Sequence, residues 1–254
     1  MSIGVHLSKS DLDHQIALTK AEVVQIFISN PRGYQHPSRD AMKSIKCDKP
    51  IYIHLPYLVN FASAKESVRD LSKELLIATD KICDSRVLGI VVHGGQGGKD
   101  ATVEEAIERW IESLSGIKLN TTLLIENTAG GNAAPGRNSN DLIKLITKLR
   151  REDNQIGICY DTCHAFASGS ENFIEEIEKI KFILGKLDLI HLNNSKDPIN
   201  SSRDRHELLE EGKIDINEII KLVKYAKKDN IDLILETPGD LEIWNKEINY
   251  IKYI

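Results

Sequence analysis

Short, nearly continuous runs of aliphatic and β-branched residues recur along the chain at fairly even intervals. They occupy residues 3–7, 22–27, 51–56, 88–95, 121–127, 155–161, 187–193 and 231–238. Continuous rather than alternating hydrophobicity is typical of strands that are buried on both faces of a parallel sheet. The pattern therefore predicts eight buried parallel strands.

Amphipathic helical patterns fill most of the intervals between these runs. Apolar residues recur at helical spacing in four intervals: Val68, Leu71 and Leu75; Val103, Ile107, Ile111 and Leu114; Phe173, Ile177, Ile180 and Leu184; Ile216, Ile219, Ile220 and Val223. Eight strands alternating with helices in 254 residues match a (β/α)8 barrel in count and size. We therefore predict an α/β protein in which residues 1–254 form a single TIM barrel domain. An open doubly wound sheet is the alternative, weakened because no G-x-G-x-x-G or Walker loop follows any strand.

Composition and charge narrow the class of protein. Hydrophobic residues make up 41% and charged residues 28% of the chain, as in ordinary globular proteins. The formal charge of −5 argues against a protein that coats nucleic acid by bulk charge, but it does not exclude a nucleic-acid enzyme. No apolar run has the length of a signal peptide or a membrane helix. We therefore expect a cytoplasmic protein with no membrane partner.

The four cysteines indicate reduced thiols rather than disulfides. Cys47, Cys83, Cys159 and Cys163 form no C-x-x-C pair, and a chain of this length does not need disulfides to fold. The spacing of four between Cys159 and Cys163 is not that of a usual zinc pair. We therefore expect both of them to be buried thiols and not metal ligands.

Metal-capable side chains lie at or near the C-terminal ends of the third to eighth predicted strands. In chain order they are His54, His93, Glu126, Asp161, His191 and Glu236. Two of the following loops add His164, Asp204 and His206, whereas the remaining histidines fit the set less well: His6, His14 and His36. A closed barrel brings strand ends and the loops that follow them onto one rim. We therefore expect nine potential ligands to converge there.

The residue types at this rim indicate a metal centre. A single histidine or carboxylate at a strand end is more often a hydrogen-bonded rim residue or a helix cap, so the interpretation rests on the whole set. Carboxylates gathered at the ends of buried strands repel one another and lose solvation unless cations neutralise them. Histidines and carboxylates without thiolates suit zinc, manganese or iron, and nine ligands are enough for two or three ions. The set therefore predicts a metal cluster that hydrolyses a phosphate ester.

Several longer motifs are similar to those of one enzyme family. They are HLPYLVN (54–60), VVHGG (91–95), LLIENTAGG (123–131), YDTCHAFASG (160–169), LIHLNNSK (189–196), RDRHELLEEG (203–212) and LETP (235–238). Through these motifs the chain resembles the endonuclease IV family of apurinic/apyrimidinic endonucleases over nearly its whole length. The resemblance implies a xylose-isomerase-like (β/α)8 barrel with three Zn²⁺ that cuts double-stranded DNA on the 5′ side of abasic sites.

The resemblance also distributes the nine rim side chains among three Zn²⁺, with Mn²⁺ or Fe²⁺ as alternatives. The first ion is assigned to His54, His93 and Glu126, the second to Glu126, Asp161, His191 and Glu236, and the third to His164, Asp204 and His206. Glu126, which would bridge two ions, and Glu236 are the predicted catalytic residues. A hydroxide between the first two ions would attack the phosphorus and leave a 3′-hydroxyl and a 5′-deoxyribose phosphate.

The predicted DNA contacts lie on the rim loops. The resemblance points to Arg32 and Tyr57, and Arg203 and Arg205 are further candidates for phosphate contacts. For each there is a purely structural alternative. Arg32 would then be a solvated loop charge and Tyr57 a packing residue, while the other two arginines would balance Asp197 and Asp204.

Some positions depart from the family pattern, and other functions stay open. Asn194 stands where the family usually has Asp in HLNDSK, and Glu210 replaces a loop glycine; neither change removes a predicted ligand. A sugar isomerase or epimerase on the related barrel would hold one or two metals, so the third ligand set favours the nuclease. A barrel that binds damaged DNA without cutting it is a further alternative. We expect a monomer, associated with the nucleoid if the source is prokaryotic.

Overall fold

The computed structural model describes residues 1–8, 11–152 and 155–254. Its strands are β1 (Ile3–Leu7), β2 (Val23–Ile26), β3 (Ile51–His54), β4 (Val87–His93), β5 (Leu123–Glu126), β6 (Ile156–Asp161), β7 (Leu189–His191), β8 (Asn194–Ser195), β9 (His206–Glu207) and β10 (Asp232–Leu235). All except β8 and β9 form a closed parallel barrel in chain order. The barrel closes because β10 pairs with β1, with Ile3 opposite Leu233. The predicted TIM barrel is therefore confirmed, and the open sheet is excluded.

Helices surround this barrel and connect its strands. They are α1 (Leu12–Leu18), α2 (Glu66–Asp80), α3 (Val103–Leu114), α4 (Ser139–Leu149), α5 (Thr162–Ser168), α6 (Phe173–Leu184), α7 (Ile216–Asp229) and α8 (Leu241–Tyr253). All four helices predicted from apolar spacing are present. Local sequence sets their ends: Thr102 and Glu105 form a capping box at the start of α3, and Asn230 ends α7 in the left-handed region.

One residue of the apolar pattern that predicted α2 does not lie on the buried face of the helix. Leu71 is 41% exposed, whereas Leu75 and its neighbour Leu76 are fully buried. The helix therefore turns a face centred closer to Leu76 toward the barrel. The spacing located the helix correctly but misplaced the edge of its buried face.

Two segments predicted to be loops contain regular structure. The segment 193–206 forms a small antiparallel hairpin in which β8 pairs with β9, with Ser195 opposite His206. The sequence NTAGGNAAPGRNSN (127–140) predicts a loop after β5, but α4 already begins at Ser139. His164 and His206 were predicted on loops, but they lie on α5 and β9. None of the helices in the described part of the chain combines the length and hydrophobicity of a membrane span.

Candidate metal centre

Strand register places a ring of polar side chains at one end of the barrel interior. A buried cluster fills the barrel with one residue from each of seven strands: Val23, Tyr52, Val91, Leu124, Cys159, Leu189 and Ile234. Side chains alternate across a strand, so the residue two positions further along faces the interior too and lies closer to the C-terminal rim. These residues are Gln25, His54, His93, Glu126, Asp161, His191 and Glu236. Six of the nine predicted ligands are thereby brought to one rim.

The eighth strand follows the same register without contributing to the apolar cluster. Gly4 on β1 leaves no room for a side chain, since a Cβ there would lie 2.3 Å from the carbonyl oxygen of Val23. Two residues further along, His6 faces the ring, and its Nδ1 lies 2.8 Å from Oε1 of Glu236. All eight barrel strands therefore place a polar residue at the rim.

Glu126 is the centre of this ring. Its side chain is fully buried, with 0% exposure. Oε2 lies 3.2 Å from Nε2 of His54 and 3.5 Å from Nε2 of His93. Oε1 lies 3.1 Å from Nδ1 of His164 and 3.2 Å from Nδ1 of His191. One carboxylate therefore contacts histidines from β3, β4, α5 and β7, which is the position a bridging ligand needs.

The predicted ligand sets differ in how closely the structure groups them. The first set and the second set each have ligand atoms that all lie within 4.8 Å of one another. In the third set, Oδ1 of Asp204 lies 3.2 Å from Nε2 of His164 and 3.1 Å from Nε2 of His206. The group within 4.8 Å, however, joins these two histidines to Asp161 instead of Asp204. Asp204 nevertheless lies closer to both histidines than Asp161 does, since the oxygens of Asp161 are 3.9 Å from Nδ1 of His164 and 3.7 Å from Nε2 of His206.

Two buried thiols lie next to the ring. Cys159 is grouped with Glu126 and His191, and Cys163 with Asp204 and His206, each within 4.8 Å. Burial raises the pKa of the Cys163 thiol to about 12, and that of Cys159 well above its usual value. Both cysteines are buried, as predicted.

Opposite charges within the ring shift the pKa values of its members. Burial alone would lower the pKa of His191, but the carboxylates of Glu236 and Glu126 raise it to about 9. Burial would raise the pKa of Glu126, yet His191 and His93 hold it well below its usual value. His93 differs, since burial lowers its pKa to about 4. Burial raises the pKa of Asp161 instead. The ring therefore holds an ionised Glu126 in a dry environment, beside a neutral His93 and a protonated His191.

The donor set fits divalent cations. His206 Nε2 is buried and makes no hydrogen bond with any described residue, although Asp204 Oδ1 lies only 3.1 Å away. A nitrogen and an oxygen that approach without hydrogen-bond geometry are placed as two ligands of one cation would be. Imidazole nitrogens and carboxylate oxygens are also the ligands that zinc takes at hydrolytic sites. The residues present therefore fit the metals that the resemblance implies.

Two asparagines that sequence reasoning missed hold two of the predicted acidic ligands, Asp161 and Glu236, in place. Asn127 Oδ1 accepts a hydrogen bond from the backbone N–H of Asp161 at 2.6 Å, and its Nδ2 donates to the Asp161 carbonyl at 2.9 Å. Asn193 Nδ2 donates to Oδ2 of Asp161 at 2.6 Å, and its Oδ1 accepts from the N–H of Glu236 at 2.8 Å. Their position was the signal available in the sequence: Asn127 directly follows Glu126, and Asn193 lies two residues beyond His191.

Two cavities open beside this ring, on either side of Tyr57. One, of about 330 Å³, is lined by His93, Thr128 and Asp204. The other, of about 850 Å³, is lined by His6, Glu236 and Trp244 among others. Tyr57 lines both cavities and is 56% exposed. The ring is therefore reachable from two directions along the rim.

Comparison with known proteins places the chain in a family. Residues 21–254 match the family model described as a xylose isomerase-like TIM barrel. The probable endonuclease 4 of Mycobacterium leprae is 38% identical over 231 residues, which cover 89% of this chain and 90% of the relative. The probable endonuclease 4 of Mycobacterium tuberculosis is 35% identical over 254 residues, covering 94% and 100%. The chain belongs to the endonuclease IV family.

Solved structures agree with membership of the endonuclease IV family. Endonuclease IV from Thermus thermophilus superposes with a TM-score of 0.80 at 26% identity, covering 100% of this chain and 98% of that one. A D-tagatose 3-epimerase-like protein superposes with a TM-score of 0.76 at 20% identity, covering 100% and 96%. At that identity the second likeness concerns the fold alone.

The departures from the endonuclease IV pattern at Asn194 and Glu210 have local structural explanations. Glu210 is exposed and is not among the residues with positive φ, so its backbone does not require the family's glycine. Asn194 is buried and organises the segment after the hairpin. Its Nδ2 donates to the carbonyls of Leu209 (2.7 Å) and Ile214 (3.1 Å), and its Oδ1 accepts from the N–H groups of Ser195 (2.7 Å) and Ile214 (2.8 Å). An aspartate cannot make the first two bonds.

We expect Asn194→Asp to lower the free energy of unfolding by about 1–3 kcal/mol, since a buried carboxylate oxygen would face two carbonyl oxygens. Denaturant unfolding at neutral pH measures the change. The exposed Asn132 offers a matched control, and Asn132→Asp should change stability by less than about 0.5 kcal/mol. Equal stability of Asn194→Asp and wild type would contradict this account of the departure.

The predicted DNA-contact arginines differ in their surroundings. Arg32 is exposed and forms no ion pair with any described residue. Arg205 donates through Nε to Oδ2 of Asp197 at 2.6 Å, and Nη1 of Arg203 lies 3.6 Å from the same carboxylate. Arg137, which sequence reasoning missed, donates to Ser202 Oγ at 3.1 Å and has no carboxylate partner in the described ranges. Its only sequence signal was a basic residue within the loop that follows ENTAGG.

Proposed function

We propose that this chain is a zinc-dependent apurinic/apyrimidinic endonuclease of base excision DNA repair. It hydrolyses the phosphodiester 5′ to an abasic site in double-stranded DNA and leaves a 3′-hydroxyl and a 5′-deoxyribose phosphate. One observation carries the proposal: the histidines and carboxylates at the strand ends converge around the buried Glu126. The 38% identity of this chain to a protein named probable endonuclease 4 supports the choice of reaction.

The proposed metal ligands follow the sets given above. His54, His93 and Glu126 would hold the first Zn²⁺, and Glu126, Asp161, His191 and Glu236 the second. His164, Asp204 and His206 would hold the third, with Mn²⁺ or Fe²⁺ as alternatives at each site. When bound, such ions neutralise phosphate charge and make water acidic enough to lose a proton near neutral pH.

The chain's own residues orient the ligands and shape the access to them. Asn127 and Asn193 fix both the backbone and one carboxylate oxygen of Asp161, so this buried ligand is oriented before substrate arrives. Glu126 and Glu236 supply the carboxylate charge at the centre of the ring. Tyr57 forms the wall between the two cavities and packs edge-on against Phe27, with ring centroids 5.1 Å apart. Extrusion of an abasic sugar toward the rim is easier than extrusion of an intact nucleotide, because no base pair has to be broken.

The DNA contacts that we propose are Arg32 and Tyr57, with Arg137 as an addition. No carboxylate of the described residues neutralises Arg32 or Arg137, so both are free to meet phosphate oxygens. Arg203 and Arg205 share one partner, Asp197, and this group of three therefore keeps a net positive charge. We therefore expect these two arginines to attract DNA phosphates less strongly than Arg32 and Arg137 do.

Arg137→Ala should weaken use of abasic DNA and reduce the salt dependence of kcat/KM by about one unit on a log–log plot, because one fewer phosphate contact is neutralised. Steady-state cleavage at several salt concentrations measures the slope. Arg151, exposed on the 3₁₀ turn that precedes β6, provides the matched control because it lies at the opposite end of the barrel. A slope for Arg137→Ala equal to that of Arg151→Ala would remove Arg137 from the interface.

The reaction is tested on an end-labelled duplex that contains a single abasic-site analogue. We expect one cut, immediately 5′ to the lesion, whose 3′ end a DNA polymerase can extend. No cut, or a cut that leaves a blocked 3′ end, would refute it. The sugar-epimerase alternative has support only from fold likeness, and epimerisation of ketohexoses by the purified protein would favour it.

We also propose that residues 1–254 act as one barrel domain and as a monomer. The curated relatives compared above are bacterial proteins, which supports a site of action in the cytoplasm at the nucleoid. Light scattering on the purified protein shows directly whether it is a monomer in solution.

A further inference from the structure

Gln25 and His6 come from β2 and β1, the two barrel strands that contribute none of the proposed ligands. Gln25 is fully buried, with 0% exposure, at the same ring level as the ligands. Its side-chain amide lies between two of them. Gln25 Oε1 is 2.9 Å from Nε2 of His191, and Gln25 Nε2 is 2.7 Å from Oε1 of Glu236. A buried amide that joins two ligands in this way has a defined direction.

The direction of this amide follows from the groups that it contacts. An ionised carboxylate only accepts hydrogen bonds, so the amide nitrogen of Gln25 must face Glu236 and the amide oxygen must face His191. An amide oxygen only accepts, so Nε2 of His191 must carry the hydrogen. In the neutral form of His191, which metal binding requires, the lone pair then resides on Nδ1. That atom lies 3.2 Å from Oε1 of Glu126 and 3.3 Å from Oε2 of Glu236, at the ligand cluster.

His6 completes the arrangement from the other side. Its Nδ1 lies 2.8 Å from Oε1 of Glu236, the same oxygen that accepts from Gln25. Phe27 packs against the imidazole ring with centroids 4.5 Å apart and restricts its orientation. The same Nδ1 lies 3.0 Å from Nε2 of Gln25, and in the Nδ1–H tautomer of His6 both groups donate to Oε1 of Glu236. Oε2 is the oxygen that faces His191 and the rest of the cluster.

We propose that Gln25 and His6 are positioning residues for the second metal site. They select the Nδ1 atom of His191 and the Oε2 atom of Glu236 as the ligand atoms, and they hold both in place before any ion binds. The inference rests on the proposed function only in treating His191 and Glu236 as ligands. It adds two residues, from the two remaining strands, to the groups on which metal binding depends.

The first test determines the tautomer of His191 in the wild-type protein. Long-range ¹H–¹⁵N NMR spectra distinguish the two nitrogen atoms of each imidazole, and the signals of His191 are assigned by their loss in His191→Asn. We expect a protonated Nε2 and an unprotonated Nδ1 in the zinc-loaded protein. The opposite tautomer of His191 would overturn the proposal.

The second test measures zinc affinity in Gln25→Leu by competition with a chromophoric chelator. Loss of a residue that orients ligands typically weakens metal binding 10–100-fold, so we expect about that loss at one site and unchanged affinity at the others. Gln155→Leu, at the exposed start of β6 on the opposite end of the barrel, is the matched control. Wild-type affinity at every site in Gln25→Leu would overturn the proposal.

These outcomes separate the inference from the proposed function. A wild-type protein that binds zinc with the expected His191 tautomer but leaves abasic DNA intact would refute the endonuclease and leave the positioning role standing. An active endonuclease whose zinc affinity does not respond to Gln25→Leu would refute the positioning role alone.

Discussion

Glu126→Gln is expected to reduce cleavage of abasic DNA by at least about a thousandfold while the barrel stays folded. The substitution keeps the size of the side chain but removes the charge of the one carboxylate that contacts four histidines. Two proposed ions lose a shared ligand, and metal ions supply several kcal/mol of transition-state stabilisation in phosphate hydrolysis. Cleavage of a duplex with one abasic-site analogue, followed under single-turnover conditions, measures the loss.

The control for this variant is Glu178→Gln on the outer helix α6. Glu178 is exposed, so its loss of charge should leave cleavage within about twofold of wild type. Circular dichroism shows whether each variant retains the barrel. A folded Glu126→Gln protein with wild-type activity would exclude Glu126 from the chemistry.

Removal of metal is expected to abolish cleavage and to lower the thermal stability of the protein. Chelation would leave buried carboxylates such as Glu126 and Asp161 without the cations that offset their loss of solvation. A ligand present at about a thousand times its Kd stabilises the folded state by roughly 4 kcal/mol per site, so the midpoint of thermal unfolding should fall by several degrees or more. Cleavage assays and calorimetry, before and after chelation, measure the two effects.

Restoring the metal provides the control for chelation. Added Zn²⁺ should return both activity and stability, and native mass spectrometry should count close to three ions per chain. Activity that survives complete removal of metal would contradict the proposed chemistry. A count of one ion per chain would favour the sugar-isomerase alternative.

The eight strands were predictable because their hydrophobic runs are continuous, and most of the rim was predictable because polar residues end those runs. Glu126 and Asp161 each close an apolar stretch, which makes them conspicuous in the sequence. Gln25 was missed because glutamine is not a usual metal ligand, and His6 was left out although its surroundings in the sequence resemble those of His54. Only the register of the barrel shows that both face the same ring.

The supporting structure around the rim was harder to predict for a different reason. The helix α5 has only 7 residues and the strands of the hairpin have 2 each, too few for any periodic pattern. Tertiary contacts fix them instead: Thr162 at the start of α5 donates to the carbonyl of Asn193 at 2.6 Å. The sequence left open whether Arg205 balances Asp197, and only the structure shows that this ion pair forms. No spacing rule shows that Arg137 has no carboxylate partner among the described residues.

The most direct test of the central claim is the nicking of a supercoiled plasmid that has been partly depurinated, alongside the same plasmid left intact. We expect the protein to convert only the depurinated plasmid to the relaxed form, to stop doing so in a chelator, and to leave nicks that a DNA polymerase extends. Equal nicking of the two plasmids, or none of either by zinc-loaded protein, would contradict the account.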